Sequence, residues 1–411
     1  MIAALEQFCH TLLARPDFWG LVSIPLVAAL VTWIHVWCAI QMVFFPLEFV
    51  GWKPWFGWQG VIPRKARKMS GILVDRVINK LGSVSEFVRQ MQPEAIARHV
   101  SLHVADHVEE YVDGLMQSES PVLWANLPAV VKAQIYQHVR RSLPPMIDGL
   151  ALALVAEVDQ LVDVREMIAS QLELDRGLMV RLFCEVGDAE FRFIINISFW
   201  IGLGFGVLQM VLFYFLPWHG LLPLYAAVLG LATNWIALAM VFRPLNPVQI
   251  GPLKLHGLFL RRQNQVADKF AQLTSTELLT IKQFMEAIFA GPGAARAQHL
   301  LGKHIEPLLD ATMVRTALQM ALGPPGFAKL KRAVTAKAAD IALERLSEEH
   351  FNRDRARVLS QLFAQRIRAL SSAEFQDLLR PAFQEDEWIL LLLGAITGLL
   401  AGWLQLVLGF S

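Results

Sequence analysis

The sequence predicts an all-α integral membrane protein, with four transmembrane helices in two parallel, pseudo-symmetric repeats, each carrying a large helical cytoplasmic module. Three observations predict it. Four stretches, 18–45, 193–216, 221–242 and 388–410, contain no Lys, Arg, Asp or Glu. Each is about 20 residues or longer, the length a helix needs to cross the hydrocarbon core. Between them, apolar residues recur at three- and four-residue steps rather than alternating, which is the helical period. Finally, the chain repeats itself: Trp37, Ala39, Met42, Val43, Phe44 and Pro46 recur 198 residues later as Trp235, Ala237, Met240, Val241, Phe242 and Pro244.

Composition bounds what the chain can be. Its 411 residues suffice for two or three domains, and 55% hydrophobic against 18% charged residues divides into uncharged runs and helix-patterned stretches of normal charge. A net charge of +1 provides no global field for nucleic acid, so no nucleic-acid partner is expected. Cys9, Cys38 and Cys184 have neither metal-type spacing nor the number for a disulfide framework. Residues 1–17 lack a basic leader, so they are read as an N-terminal segment and not as a signal peptide.

Taken in order, the first span is longer and less pure than the others, with Pro25, Thr32, His35 and Gln41 inside it, and Pro25 predicts tilt or a kink. Basic residues follow it at Lys53, Arg64, Lys65, Arg67 and Lys68, and follow the third span at Arg243, Lys254, Arg261 and Arg262. Neither the 217–220 link nor the segment after the fourth span has any. The positive-inside bias therefore places the modules, 46–192 and 243–387, in the cytoplasm and both termini outside. The second and fourth spans repeat as well: Gly202, Gly206 and Gln209 recur as Gly398, Gly402 and Gln405, 196 residues on. The repeats are then about 18–216 and 217–411. Two crossings per copy return the chain to the same side, so the expected axis lies along the membrane normal. Within the modules Ile96, Val100, Val104, Val108, Tyr111 and Leu115 mark a helical face. Elongated bundles or coiled-coil hairpins are one expectation, a compact bundle in each half the other.

Gly230, Thr233, Asn234, Trp235, Ala237, Met240, Phe242, Arg243 and Pro244, followed by Gly257, Arg261 and Arg262, form the pattern G-x-x-T-N-W-x-A-x-x-M-V-F-R-P and a later G-[LV]-x-x-[RK]-[RK]. This pattern resembles the domain-of-unknown-function family numbered 445, the YheB/YjiN-like bacterial membrane proteins. The first copy departs from it: Thr32 replaces the Gly, His35-Val36 replaces Thr-Asn, and Phe45 replaces the Arg. The resemblance implies a bacterial inner-membrane protein with a helical cytoplasmic part. It supplies no activity.

Asn234 is the sharpest polar residue, because an amide in hydrocarbon needs partners. With Thr233 beside it, it is expected either to bond another span, at Gln405 or Gln209, or to form a polar site with His35 and Gln41 opposite. Gly202, Gly206, Gly230, Gly394, Gly398 and Gly402 sit at four-residue steps that let helix backbones approach. Arg243, Arg261, Arg262, Arg64, Lys65, Arg67 and Lys68 are candidate contacts to anionic headgroups of membrane lipids, or simply carriers of the positive-inside bias. Trp52, Trp55 and Trp58 fit an interfacial aromatic belt. His99, His103 and His107 share a helical face but span about 12 Å, too far for one ion, so a solvated face and no metal are expected. No motif for nucleophilic, phosphate or metal chemistry occurs, so neither an enzyme nor a cofactor is expected. The first functional expectation is a membrane-anchored scaffold, with another copy of the chain or a cytoplasmic protein as partner. The alternative is transport or transfer of a lipid or other amphipathic molecule through a site between the repeats, which a continuous apolar groove in the modules would favour.

Overall fold

The computed structural model describes residues 18–52, 56–215, 219–251, 253–346, 349–384 and 387–407; Trp55 and the first 17 residues lie outside them. The described residues are almost wholly helical, with two short antiparallel hairpins the only strands among them. Among the described residues four helices are long and apolar enough to cross a membrane: Val22–Phe44, Arg176–Leu212, Pro223–Phe242 and Glu387–Leu404. The second belongs to a continuous 40-residue helix, Arg176–Phe215. At 1.5 Å per residue it is about 60 Å long, twice the hydrocarbon thickness. An apolar run ends where charge begins, but the helix does not, since 176–192 contains no proline.

The chain divides into two compact units. The first comprises Met1–Ile72, Asp175–Val266 and Ile367–Ser411 and holds all four apolar helices. In it the first apolar helix packs along the second and the third along the fourth. After both the first and the third, the chain makes the same local moves. A cis X-Pro bond (Phe45-Pro46, Arg243-Pro244) precedes a three-residue hairpin, Val50–Trp52 with Phe56–Trp58 in one case and Val248–Ile250 with Leu253–Leu255 in the other. Next comes a glycine whose N–H returns to the proline carbonyl, Gly60 to Pro46 at 2.9 Å and Gly257 to Pro244 at 3.1 Å. The glycine is required by close approach: a Cβ there would lie 2.7 Å from the Phe44 carbonyl carbon, or 2.8 Å from that of Phe242. A one-turn helix, Val61–Arg64 or Leu258–Arg261, follows.

The second unit comprises Leu73–Leu174 and Ala267–Arg366, so segments from both halves of the sequence build one helical body. Near its start each segment has a π-helical turn, Leu73–Ile78 or Thr274–Leu278. A hydroxyl-capped helix comes next: Ser83 accepts from the Glu86 amide, and Thr280 accepts from Gln283 in a full capping box. The axis of the unit is the 33-residue helix Ala129–Leu161, which packs against Pro93–Asp106 from the same segment and Ala294–Leu309 from the other. The segments are fastened at Phe87 and Phe363, edge to face at 4.9 Å, and beside them Arg366 forks onto Glu86 and the Leu81 carbonyl. The second long helix, Thr312–Leu346, breaks at Gly323 (φ 65°) just before Pro324-Pro325. This is a backbone conformation glycine adopts without the Cβ penalty.

Candidate functional site

Two places combine chemistry with burial, one in each unit. In the first unit Asn234, on the third apolar helix, is buried, with Nδ2 donating to the Leu390 carbonyl at 2.6 Å. Its Oδ1 is therefore the acceptor facing His35 Nε2 at 3.1 Å. His35, buried on the first apolar helix, has its other nitrogen 3.2 Å from the Val31 carbonyl. Asn234 thus joins three apolar helices, through His35 and a backbone carbonyl and not through Gln209. The reason is Gly394: its missing side chain (a Cβ would lie 2.5 Å from Asn234 Nδ2) opens the carbonyl one turn before it.

The other polar candidates do not converge on this point. Thr233 donates to Leu229 of its own helix at 2.8 Å. Gln209 is buried, its Nε2 without a partner among the described residues. Gln41 is half-buried, and the Gln405 side chain lies outside the description. The glycines sit at backbone crossings. A Cβ would fall 2.7 Å from Thr32 Cβ at Gly202, 2.6 Å from Pro25 Cα at Gly206, 2.1 Å from the Gly394 oxygen at Gly230, and 2.2 Å from the Ala226 oxygen at Gly398. Gly402 is buried.

Of the basic candidates, Arg64, Arg67, Lys68, Arg243 and Arg261 are exposed and Lys65 is half-buried. Arg262 also reaches inward: its Nη1 is 3.0 Å from Glu190, whose side chain is only 2% exposed, so part of its guanidinium pairs with a buried carboxylate. Glu190 gave no sequence signal, because helical spacing does not show that the face at 190 turns inward. The histidine row is a correction: it is no solvated face. His99 stacks on Phe351 at 4.2 Å and His103 on His107 at 4.3 Å, all half-buried. Among the described residues no group of three His, Cys, Asp or Glu is disposed to hold a metal.

In the second unit the space between helices is not filled. A hollow of ≈ 180 Å³ lies between the long helix (Leu143 to Val158), Pro93–Asp106, Ile281–Ala290 and the end of Thr312–Leu346. Every side chain lining it is apolar. A second hollow of ≈ 150 Å³ continues along the same helix from Ile135 to Met146. Leu143, Met146, Ala338 and Ile341 line both, which makes them neighbours end to end. Alanines at 97, 151, 338 and 342 stand where larger side chains would close the space. An apolar cavity of about 150 Å³ takes up small hydrocarbons, so each hollow is large enough for a hydrocarbon group.

The second hollow is lined in part by Tyr111, Trp124, His138 and Lys337, which turn almost only apolar atoms toward it. Two of these are committed. Trp124 Nε1 donates to Asp113 at 3.0 Å, and His138 Nε2 to the Leu308 carbonyl at 3.2 Å. Asp113 also accepts the Tyr136 hydroxyl, and burial together with that carboxylate pushes the Tyr136 phenol up to about 12.

Comparison with family models, with curated proteins and with solved structures finds no match to this chain.

Proposed function

We propose that this is a bacterial inner-membrane protein that takes a lipid-type amphipathic molecule into its helical unit and exchanges it with the bilayer, without a catalytic step. The observation that carries this is the pair of end-to-end apolar hollows in residues 73–174 and 267–366. A protein interior normally packs to crystal-like density, and a scaffold has no use for unfilled hydrocarbon space. The four apolar helices keep such a unit tethered where lipids are the abundant apolar ligand. The resemblance to family 445 and the basic residues after the first and third spans support an inner-membrane location, with the helical unit cytoplasmic and both termini outside. The matching hairpins, glycine returns, π-turns and caps support descent of the two halves from one duplicated unit.

The scaffold reading keeps one observation of its own. Leu102, Val122, Val130 and Leu152 of the second unit are each at least 60% exposed, which suits a protein partner or a second copy. One preparation separates the two. The full chain is purified in lipid nanodiscs alongside an Ala151→Phe variant that fills the first hollow, and retained lipids are identified by mass spectrometry. A lipid enriched over the nanodisc composition and lost in the variant is expected. No enrichment together with a stoichiometric protein partner replaces this proposal with the scaffold.

A further inference from the structure

At the Arg243 end of the third apolar helix the first unit has an open groove of ≈ 740 Å³. Trp235, Ile236, Ala239 and Met240 give it an apolar wall, at whose end Arg243 stands. Gln376, Asp377 and Arg380 line it from a second helix, Ser372–Gln384. Unlike the hollows, the groove turns polar atoms as well as apolar ones toward its space. Gln376 is only 5% exposed, yet its amide bonds to no described residue and is not sealed from the space it lines. Buried amides in proteins are normally bonded, so this one calls for a partner from outside the chain. Arg243 is exposed and Arg380 half-buried. Among the described residues neither pairs with a carboxylate, although Asp377 lines the same groove.

Place and charge identify the occupant. Arg243 is the first charged residue after the uncharged run 221–242, so with this helix across a bilayer the groove lies at the level of the headgroups. Two arginines against one aspartate leave a single positive charge, which matches a phosphodiester and not a doubly charged phosphomonoester. The apolar wall also continues beyond the groove. Leu224, Val228, Leu231 and Trp235 are each at least 44% exposed and, at steps of three and four, form one stripe along the helix. From Trp235 to Leu224 is about 16 Å at 1.5 Å per residue. One acyl chain covers about half of a ~30 Å hydrocarbon core, a matching length. A free phosphate would use the arginines and leave this stripe bare.

We infer that this groove holds the headgroup of a membrane phospholipid, its phosphodiester against Arg243, Arg380 and Gln376 and one acyl chain along the stripe from Trp235 to Leu224. The inference rests on the membrane reading of the apolar helices and not on the hollows, which belong to the other unit.

The test titrates the full chain in detergent with phosphatidylglycerol and reads binding by native mass spectrometry. Diacylglycerol with the same chains, phosphatidic acid and inorganic phosphate are compared with it. Phosphatidylglycerol is expected to bind about tenfold more tightly than diacylglycerol. Arg243→Gln with Arg380→Gln should erase that difference. Arg64→Gln with Arg261→Gln, at exposed positions outside the groove, should leave it unchanged. Asp377→Asn should tighten phosphatidylglycerol about threefold by removing a like charge, a gain that misfolding cannot mimic. Ala239→Phe should weaken both lipids. Equal effects of the two arginine pairs reduce the binding to general surface charge and overturn the site. Displacement by millimolar inorganic phosphate transfers the site to the free anion, and tighter binding of phosphatidic acid overturns the single-charge match. Failure of every lipid to bind removes the site itself, whereas release of the chain from membranes by alkaline carbonate overturns the membrane reading beneath it.

Discussion

Replacing Asn234 by Leu removes two hydrogen bonds between apolar helices while keeping the branching of the side chain, with bulkier methyls in place of the amide. The bond to Leu390 leaves a carbonyl that its own helix still uses, whereas the bond to His35 leaves a buried imidazole nitrogen with no partner. Interhelical bonds of this kind average about 0.6 kcal/mol and reach about 1.7. Stranding a buried donor adds about 1–3 kcal/mol. Together these give about 2–4 kcal/mol for Asn234→Leu. His35→Leu, which leaves Asn234 its bond to Leu390, should cost less, and adding His35→Leu to Asn234→Leu should restore part of the loss. Cys38, half-buried one turn from His35, reports it in a background with Cys9 and Cys184 replaced by Ser. If maleimide reaches Cys38 by opening of the helix packing, 1.4 kcal/mol corresponds to tenfold in rate. The single Asn234 variant should then react at least tenfold faster, and the double variant should fall between it and the parent. An unchanged rate in Asn234→Leu together with lost lipid retention would refute the packing role and make Asn234 part of a polar site.

Gly230→Ala places a Cβ 2.1 Å from the Gly394 oxygen, so the third and fourth apolar helices must part. A loss of about 1–3 kcal/mol is expected in thermal unfolding, against no change for Gly204→Ala, which meets nothing within 4 Å. Arg262→Met strands the Glu190 carboxylate. Complete burial of such a pair would make this about 3–5 kcal/mol, but Arg262 is 41% exposed, so about 1–3 is expected, with recovery when Glu190→Gln is added. Tyr136 has a folded-state pKa of about 12 against an ordinary 10.0. Its contribution to stability is thus whole below pH 10 and lost as pH rises through 12, and Tyr136→Phe should abolish that alkaline dependence and remove one late-ionising phenol from the ultraviolet titration. A Cys at Lys68 should resist a membrane-impermeant reagent in intact cells; labelling there would reverse the proposed orientation.

Much of the architecture was legible in the sequence because the forces that set it are local. A span announces itself by length and lack of charge, so the four apolar helices could be read directly, although the end of the 40-residue helix at Arg176 could not, since charge stops an apolar run without stopping a helix. Gly257 stood out as a letter of the pattern after the third span, and only the backbone explains it and Gly60, as the places where the chain returns to a proline carbonyl. Asn234 was recognisable as an amide that must find partners, but not which ones. Gly394 decides that by uncovering Leu390, across 156 residues of sequence.

What the sequence by itself determined, then, is the composition of each segment and the period of each helix, for these depend on neighbours a few residues away. Only the tertiary structure decided that 73–174 and 267–366 share one helical unit, that Glu190 turns inward to meet Arg262, and that alanines from both segments leave an apolar space between them. A hollow belongs to no residue. It is the volume that several helices fail to fill once their packing is set, and no single stretch of the chain carries a record of it.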